Sequence, residues 1–454
     1  MAGSHGYTDT ITGYAARFRF ADLPPKVIEE AKAIVLDTVG ALLLASLPQY
    51  RASWLTGDLA RLMGGTPEST VIGRDFMASC EAAALANGTM GYAADVEGGS
   101  AARQHVPAVL VPAALAVGER EGADGKTFLA ALALGYEICC RVGEACRTPH
   151  SYPHSFHPSA TFGYFGAAAT AGHILNLTQP QFANALGLAG SNAGGLMTWV
   201  SDPTEHARPF VIGMAARGGV TAALLAQMGL GGPPAILDPG KYSIYDAYSG
   251  EMHLDRLTDR LGENFWIANT GGFKRHPCCG DIHSGLDALL AIMDKHDIIP
   301  GEIEEIVHRV KADRAPVIDN NPLKSHCAQY ILAVAAVDRK IVPSDILHDR
   351  RDNAQIRMVY ERVRLIGDHE MDRWPASAPA VVEVTVKDGR RLSERVDWAK
   401  GRRENPMTHA ELERKFFDLA TMRISRDDAS RLMERLAHLE QVPDVREIGR
   451  LLRA

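Results

Sequence analysis

From Phe156 to Ala169 the chain reads Phe-His-Pro-Ser-Ala-Thr-Phe-Gly-Tyr-Phe-Gly-Ala-Ala-Ala. No other stretch constrains the fold as strongly. It has neither the charged face of a surface helix nor the alternation of a strand, and Ala and Gly let neighbouring backbones approach closely. Such a helix must be enclosed by other helices. Proline suits the first helical position, so Pro158 starts the helix and leaves His157 at its entrance. An imidazole at the mouth of a rigid helical core can deliver a proton to something bound there. A lone histidine in that position is more often a cap or a satisfied core side chain, but several other polar clusters here share the same loop-to-helix setting.

Nearly every segment from Thr8 to about Gly229 reads as helix. The first clear one is Val27–Gly40, started by Pro24 and Pro25. Others are expected at Cys80–Tyr92, Pro107–Arg120, Gly125–Cys146, Ala160–Leu175, Thr178–Ser191 and Ile212–Gln227. Several are apolar around most of their circumference, which predicts burial in one large helical domain. After about Gly271 the character changes. Ile306–Val310 is strand-like, and Val382–Lys387 alternates, meets Asp388-Gly389 and continues into Leu392–Val396, a hairpin signal. Helices are expected at Gly280–His296, Ser325–Asp338 and Asp352–Val363. The fold class is therefore mainly α: an all-helical domain over 1–270, an α+β domain over 271–400, and helices in 401–454 that complete the first domain. The tail His409–Leu452 is amphipathic and charged, so it is expected to pack back on the helical domain.

Composition narrows the function. A net charge of −7 argues against a nucleic-acid or anionic-membrane partner. No apolar run approaches the length of a membrane span, and no signal peptide opens the chain. The seven cysteines, with adjacent pairs at Cys139-Cys140 and Cys278-Cys279, do not read as a disulfide framework. A reducing cytoplasm is the simplest setting. The Cys/His spacing fits no zinc motif, and no dinucleotide or P-loop fingerprint follows a strand, so neither a metal nor a cofactor is expected.

Four clusters can carry chemistry. In the first, Asp95 and Glu97 leave a helix for the Gly98-Gly99-Ser100 loop, and His105 precedes the next helix; a carboxylate and an imidazole meeting there form an acid/base pair. The second contains His154 and His157, of which His157 is expected to be buried and His154 exposed. The third is Asp202–Phe210, where Arg208 at a loop-to-helix junction suits a carboxylate. The fourth is Phe273–His283. There Lys274 and Arg275 supply positive charge for an anionic substrate, with His276 beside them. Cys279 can act as acid or base only if adjacent cations lower its thiol pKa. Asp281 and His283 read as supporting groups or helix-start caps. No Ser-His-Asp order or nucleophile elbow is present, so acyl transfer has little support. Histidines, carboxylates and cations suit proton abstraction next to a carboxylate, the step shared by elimination, decarboxylation and epimerisation.

With these clusters in place, the chain resembles the MmgE/PrpD family of 2-methylcitrate dehydratases, cis-aconitate decarboxylases and iminodisuccinate epimerases. The motifs are Asn87-Gly88-Thr89 through Asp95, His105 through Ala116, His157-Pro158-Ser159 with Phe162–Ala168, Ala185–Ser191, Gly213–Arg217, and Phe273-Lys274 with Pro277-Cys278-Cys279. The resemblance implies a helical domain, a smaller lid, a cleft between them, a homodimer, and no cofactor. It casts Asp95, His105 and His157 as catalytic and adds Tyr330 as a lid tyrosine. Three departures stand out. The family's D-F-D-D-[TS] is here Asp95-Val96-Glu97-Gly98-Gly99, so its hydroxyl is missing unless Ser100 replaces it. T-K-x-L-H becomes Ala207–Val211, with Arg208 in the lysine's place, and arginine is a poor proton donor. Cys279 falls where cis-aconitate decarboxylase has a histidine. The expected activity is a cofactor-free lyase acting on a small di- or tricarboxylate, most simply a 2-methylcitrate dehydratase, with a dicarboxylate epimerase, a decarboxylase or a non-catalytic carboxylate binder as alternatives. The expected setting is a basic, imidazole-lined crevice between the two lobes; room for a bulkier ligand is a plausible consequence of Gly98-Gly99 that the sequence leaves open.

Overall fold

The computed structural model describes residues 6–147 and 155–453, so His154 lies outside the described residues. In chain order the longer helices are α1 (Tyr7–Arg17), α2 (Pro25–Ala45), α3 (Arg51–Met63), α4 (Cys80–Ala93), α5 (Val106–Glu121), α6 (Gly125–Ala145), α7 (Pro158–Ile174), α8 (Gln179–Asn192) and α9 (Ala207–Gln227). A short ribbon, β1 (Ser69–Thr70) and β2 (Met77–Ala78), interrupts them. Then come α10 (His283–Lys295), β3 (Ile303–Lys311), α11 (Ala328–Asp338), α12 (Ala354–Tyr360), β4 (Val363–Asp368), β5 (Ala380–Val386) and β6 (Arg391–Val396). The tail forms α13 (His409–Ala420), α14 (Arg426–Ala437) and α15 (Arg446–Leu451). The described chain divides into two units, residues up to Gly271 together with His409 onward, and Gly272–Thr408.

In the first unit α9 packs against both α4 and α7, and α5, α6 and α8 lie around them. Every residue of α7 is buried except His173, as its composition requires. Small residues set these spacings. A Cβ added at Gly213 of α9 would lie 2.5 Å from the Leu85 carbonyl oxygen of α4, and one at Gly91 of α4 would lie 2.5 Å from the Ala108 carbonyl oxygen of α5. Only glycine allows so close an approach. One expectation needs correction here. With 21 residues and a mean hydropathy of 1.5, α9 is long and apolar enough to cross a membrane. Its packing against α4, α7 and α8 makes it a core helix, and it carries a buried arginine, Arg208. The tail belongs to this unit: α13 lies on α2, the Arg446 Nε donates to the Glu119 carbonyl (2.8 Å), and the Gly73 N–H donates to the Leu452 carbonyl (2.8 Å).

The second unit holds a four-stranded sheet in the order β4-β3-β5-β6. β3 pairs parallel with β4 and antiparallel with β5, and β5 pairs antiparallel with β6 across the expected Asp388-Gly389 turn, where Gly389 has φ +91°. α10 covers β5 and β6, and α11 packs on α10, α12 and β4. The helix expected to reach Val363 instead stops at Tyr360, and Val363–Asp368 forms the parallel edge strand. The β-branched and apolar residues at Val363, Leu365 and Ile366 favour a strand once β3 is present to pair with them. That partner lies more than fifty positions earlier, which no local pattern reveals.

Candidate active site

Four of the expected residues meet at helix ends of the first unit. Asp95 follows α4, while His105, His157 and Arg208 stand at the N-terminal ends of α5, α7 and α9. Three positive helix ends directed to one place favour an anion. Tyr92 is the shared wall. Its ring lies 4.6 Å from His105, 5.8 Å from His157 and 4.7 Å from the Arg208 guanidinium. Trp199, in a tight turn at Met197–Ser201, stands 5.7 Å from His157 and 5.9 Å from Arg208. The strand-like pairing of Phe156 with Leu196, and the His157 N–H donating to the Gly195 carbonyl (2.8 Å), hold that segment in place.

The two histidines are prepared differently. His105 Nδ1 lies 2.8 Å from Glu97 Oε1, with Ser100 Oγ at 3.4 Å. A carboxylate can only accept, so this contact places the proton on Nδ1 and leaves Nε2 with its lone pair. The His105 backbone N–H donates to Ser159 Oγ (2.8 Å), tying the ends of α5 and α7 together. In His157 the roles are reversed. Nδ1 accepts from the Ala160 N–H (3.3 Å), so Nε2 carries the proton. Burial, then the neighbouring His105 and Arg208, press its pKa down to about 3, so it is neutral near neutral pH. It is therefore both the helix cap that a lone histidine usually is and a hydrogen-bond donor facing the cluster.

Arg208 is fully buried. Its contacts with Asp95 (3.6 Å) and Glu205 (3.7 Å) are longer than hydrogen bonds. Burial opposes its charge, but Asp95, Tyr92, Glu205 and Glu97 outweigh that and hold its pKa above the ordinary value. Its Nε and one terminal nitrogen donate no hydrogen bond among the described residues, so the fork has donors to offer a carboxylate.

Asp95, Glu205 and Glu97 all act on the one guanidinium, so this part of the cluster is rich in carboxylates. Gly99 is closely enclosed: an added Cβ would lie within 3.2 Å of Pro107, Tyr136 and Ile34, and the Tyr136 hydroxyl donates to its carbonyl (2.9 Å). Asp95 itself is buried with φ +56°, a left-handed conformation that costs a non-glycine residue about 1–2 kcal/mol.

The remaining expected residues belong to the second unit. Tyr330 is a packing residue. Its hydroxyl lies 2.6 Å from the Asp345 carbonyl and 3.1 Å from that of His348, accepts from the Arg350 N–H (3.3 Å), and is pushed up to about 12 by burial. That removes it from the proton-transfer candidates. His276 is held by Asp287 at 3.0 Å, whose second oxygen accepts the Lys400 N–H, whereas Arg275 is exposed and its contact with Asp287 (3.8 Å) is longer than a hydrogen bond. Lys274 and Cys279 are half-buried, and the Cys279 N–H donates to the Ser325 carbonyl (2.8 Å). Asp281 faces Arg314 (3.9 Å), and the buried His283 donates from Nε2 to the Cys278 carbonyl (3.2 Å). All seven cysteines are free thiols.

Sequence reading gave Tyr92 and Trp199 no role. Tyr92 is in the last turn of α4, but Asp95 lies beyond the helix with φ +56°, so helical spacing does not link the two. Trp199 had no signal either, since the place of its segment depends on Leu196 pairing with Phe156.

The buried neutral histidines make acid stability predictable. Burial lowers His157 to about 3, and His173 and His308 to about 4, from 6.5. Below pH 6.5 the unfolded chain binds protons that the folded chain refuses, so their contribution is intact above 6.5 and lost as pH falls toward 4. Each such histidine costs up to about 1.4 kcal/mol per pH unit in that window. Glu119, raised by burial to about 7, works in the opposite direction, so the check is the Tm difference between the parent and His308→Gln at about pH 7.5, 6 and 5: the parent should lose ground to the variant as pH falls, and a constant difference would contradict it.

The MmgE/PrpD N-terminal domain model matches residues 9–257 and the C-terminal domain model residues 276–441. The chain belongs to the MmgE/PrpD family. Among curated relatives, a cis-aconitate decarboxylase of Mus musculus is 26% identical over 98% of this chain and 93% of its own length. The mitochondrial 2-methylcitrate dehydratase of Yarrowia lipolytica is 26% identical over 52% of this chain and 48% of its own length. A 2-methylcitrate dehydratase of Escherichia coli is 23% identical over 61% of each.

Proposed function

We propose that the protein is a lyase that uses its own side chains to eliminate water from a small hydroxy tri- or dicarboxylate, in the manner of a 2-methylcitrate dehydratase. The observation that carries this is the Glu97–His105 pair, which leaves Nε2 of His105 as a base. Arg208 holds a substrate carboxylate, and the His157 Nε2–H donates a hydrogen bond to the negative charge that grows on it. The His105 Nε2 takes the proton from the carbon next to that carboxylate. The electron pair left behind forms the double bond and expels hydroxide from the neighbouring carbon. The His105 imidazolium then returns the proton to the hydroxide, and water leaves. Asp95 orients Arg208.

A second reading, decarboxylation of a cis-aconitate-like acid, has one observation in its favour: the cis-aconitate decarboxylases are similar over almost the whole chain, the dehydratases over half to three-fifths. A homodimer is part of the same proposal, supported by the exposed Leu55, Leu59 and Leu62 along one face of α3. A cytoplasmic setting is supported by the free thiols.

The test is a panel of 2-methylcitrate, citrate, isocitrate and cis-aconitate, followed by ultraviolet absorbance and carbon dioxide release. Absorbance from a new double bond without gas supports dehydration. Gas evolved in step with turnover moves the assignment to decarboxylation. Binding without turnover on every acid overturns both.

A further inference from the structure

The loop carrying Asp95 and Glu97 is buried throughout, so its backbone groups need partners inside the protein. Two of those partners come from far away in the chain. Asp37, in the middle of α2 and almost fully buried, accepts the Gly98 N–H through Oδ2 at 2.7 Å. Lys415, on α13, donates to the other oxygen of Asp37 at 2.6 Å and to the Val96 carbonyl at 2.7 Å. The Lys415 ammonium thus grips the residue before Glu97, and Asp37 grips the residue after it. Glu97 in turn fixes the Nδ1–H of His105.

We propose that Lys415 and Asp37 are positioning residues for proton transfer: a bracket that reaches from the C-terminal helix to both flanks of Glu97 and thereby sets the orientation of the His105 imidazole. The inference rests on the reading of His105 as the proton carrier. It gives α13 a direct hold on the reacting group. A buried charged pair is weak evidence of stabilisation, since desolvation offsets much of its attraction, whereas fixing one geometry is a role such pairs do fill. Positional errors near 1 Å at a reacting group cost about 10²-fold in rate. Loss of the Lys415 grip on Val96 is of that kind.

The experiment reads the geometry without substrate. In protein labelled with ¹⁵N-histidine, the Nδ1–H of His105 held by a carboxylate gives a downfield proton resonance, assigned by its loss in His105→Asn. The proposal expects that signal in the parent and in Lys415→Arg, and its loss or large upfield shift in Lys415→Met. Phe416→Leu, which loosens the packing of α13 on Gly40 without touching the loop, should keep it. Turnover is measured alongside, with kcat expected to fall about 10²-fold in Lys415→Met while KM changes little. An unchanged resonance in Lys415→Met overturns the bracket, whatever the reaction. A lost resonance with full turnover leaves the bracket standing and removes His105 as the proton carrier. If Lys415→Met does not fold, Asp37→Asn decides, because it keeps an oxygen for Gly98 but loses the ion pair; retention of the signal in that variant also overturns the proposal.

Discussion

A His105→Ala variant turns over its substrate about 10²–10⁴-fold more slowly than the parent, the range expected when a positioned general base is removed. The loss falls on kcat. The imidazole is reached through a loop whose backbone is held independently of its ring, and its own N–H to Ser159 survives the substitution. Glu97→Gln gives a smaller loss of the same kind, since an amide can still accept from Nδ1 but cannot stabilise the imidazolium formed by proton abstraction. His157→Ala differs again. It removes a neutral donor and a helix cap together, so its rate loss comes with lower stability, about 1 kcal/mol for the cap. Steady-state kinetics on the three purified variants, with a thermal melt for each, separates these outcomes. A His105→Ala enzyme within a few fold of the parent would place the base elsewhere.

Arg208 yields the second large effect, and it shows in binding. Arg208→Lys keeps the charge but loses the planar fork, so KM rises by about one to two orders of magnitude while kcat changes less. Arg208→Met goes further. It leaves Asp95 and Glu205 facing each other without a cation, and breaking a buried pair in this way costs about 3–5 kcal/mol, which part of the exposed rim at Glu205 will reduce. The checking measurement is thermal stabilisation by a non-reacting polycarboxylate. The parent should melt higher with ligand, the Lys variant should need more ligand for the same shift, and the Met variant should show none. Equal ligand-induced shifts in all three would take Arg208 out of the binding site.

The parts of this molecule that could be read in advance are those whose cause is local. α4, α5 and α7 follow from Ala/Gly composition and from Pro107 and Pro158 at their starts, and the β5–β6 hairpin follows from Asp388-Gly389 between alternating residues. His105, His157 and Arg208 were visible for the same reason: each precedes or begins a helix, and helix starts are marked in sequence. What escaped depends on partners distant along the chain. β4 is a strand because β3 is beside it. Tyr330 looked available because no local pattern shows that Asp345, His348 and Arg350 close around its hydroxyl. The role proposed for Lys415 likewise exists only in three dimensions.

The close contacts that Gly91 and Gly213 permit have a bearing on how such a protein can acquire new chemistry. Helices spaced by bare hydrogens cannot be moved apart in small increments, because the first methyl group added already collides with a carbonyl. The side chains of the cluster ride on the ends of those helices, so that spacing fixes their mutual geometry. Diversity of substrate must then come from segments that merely line the cluster, such as the turn bearing Trp199, where chain length and side-chain size can vary without disturbing the frame.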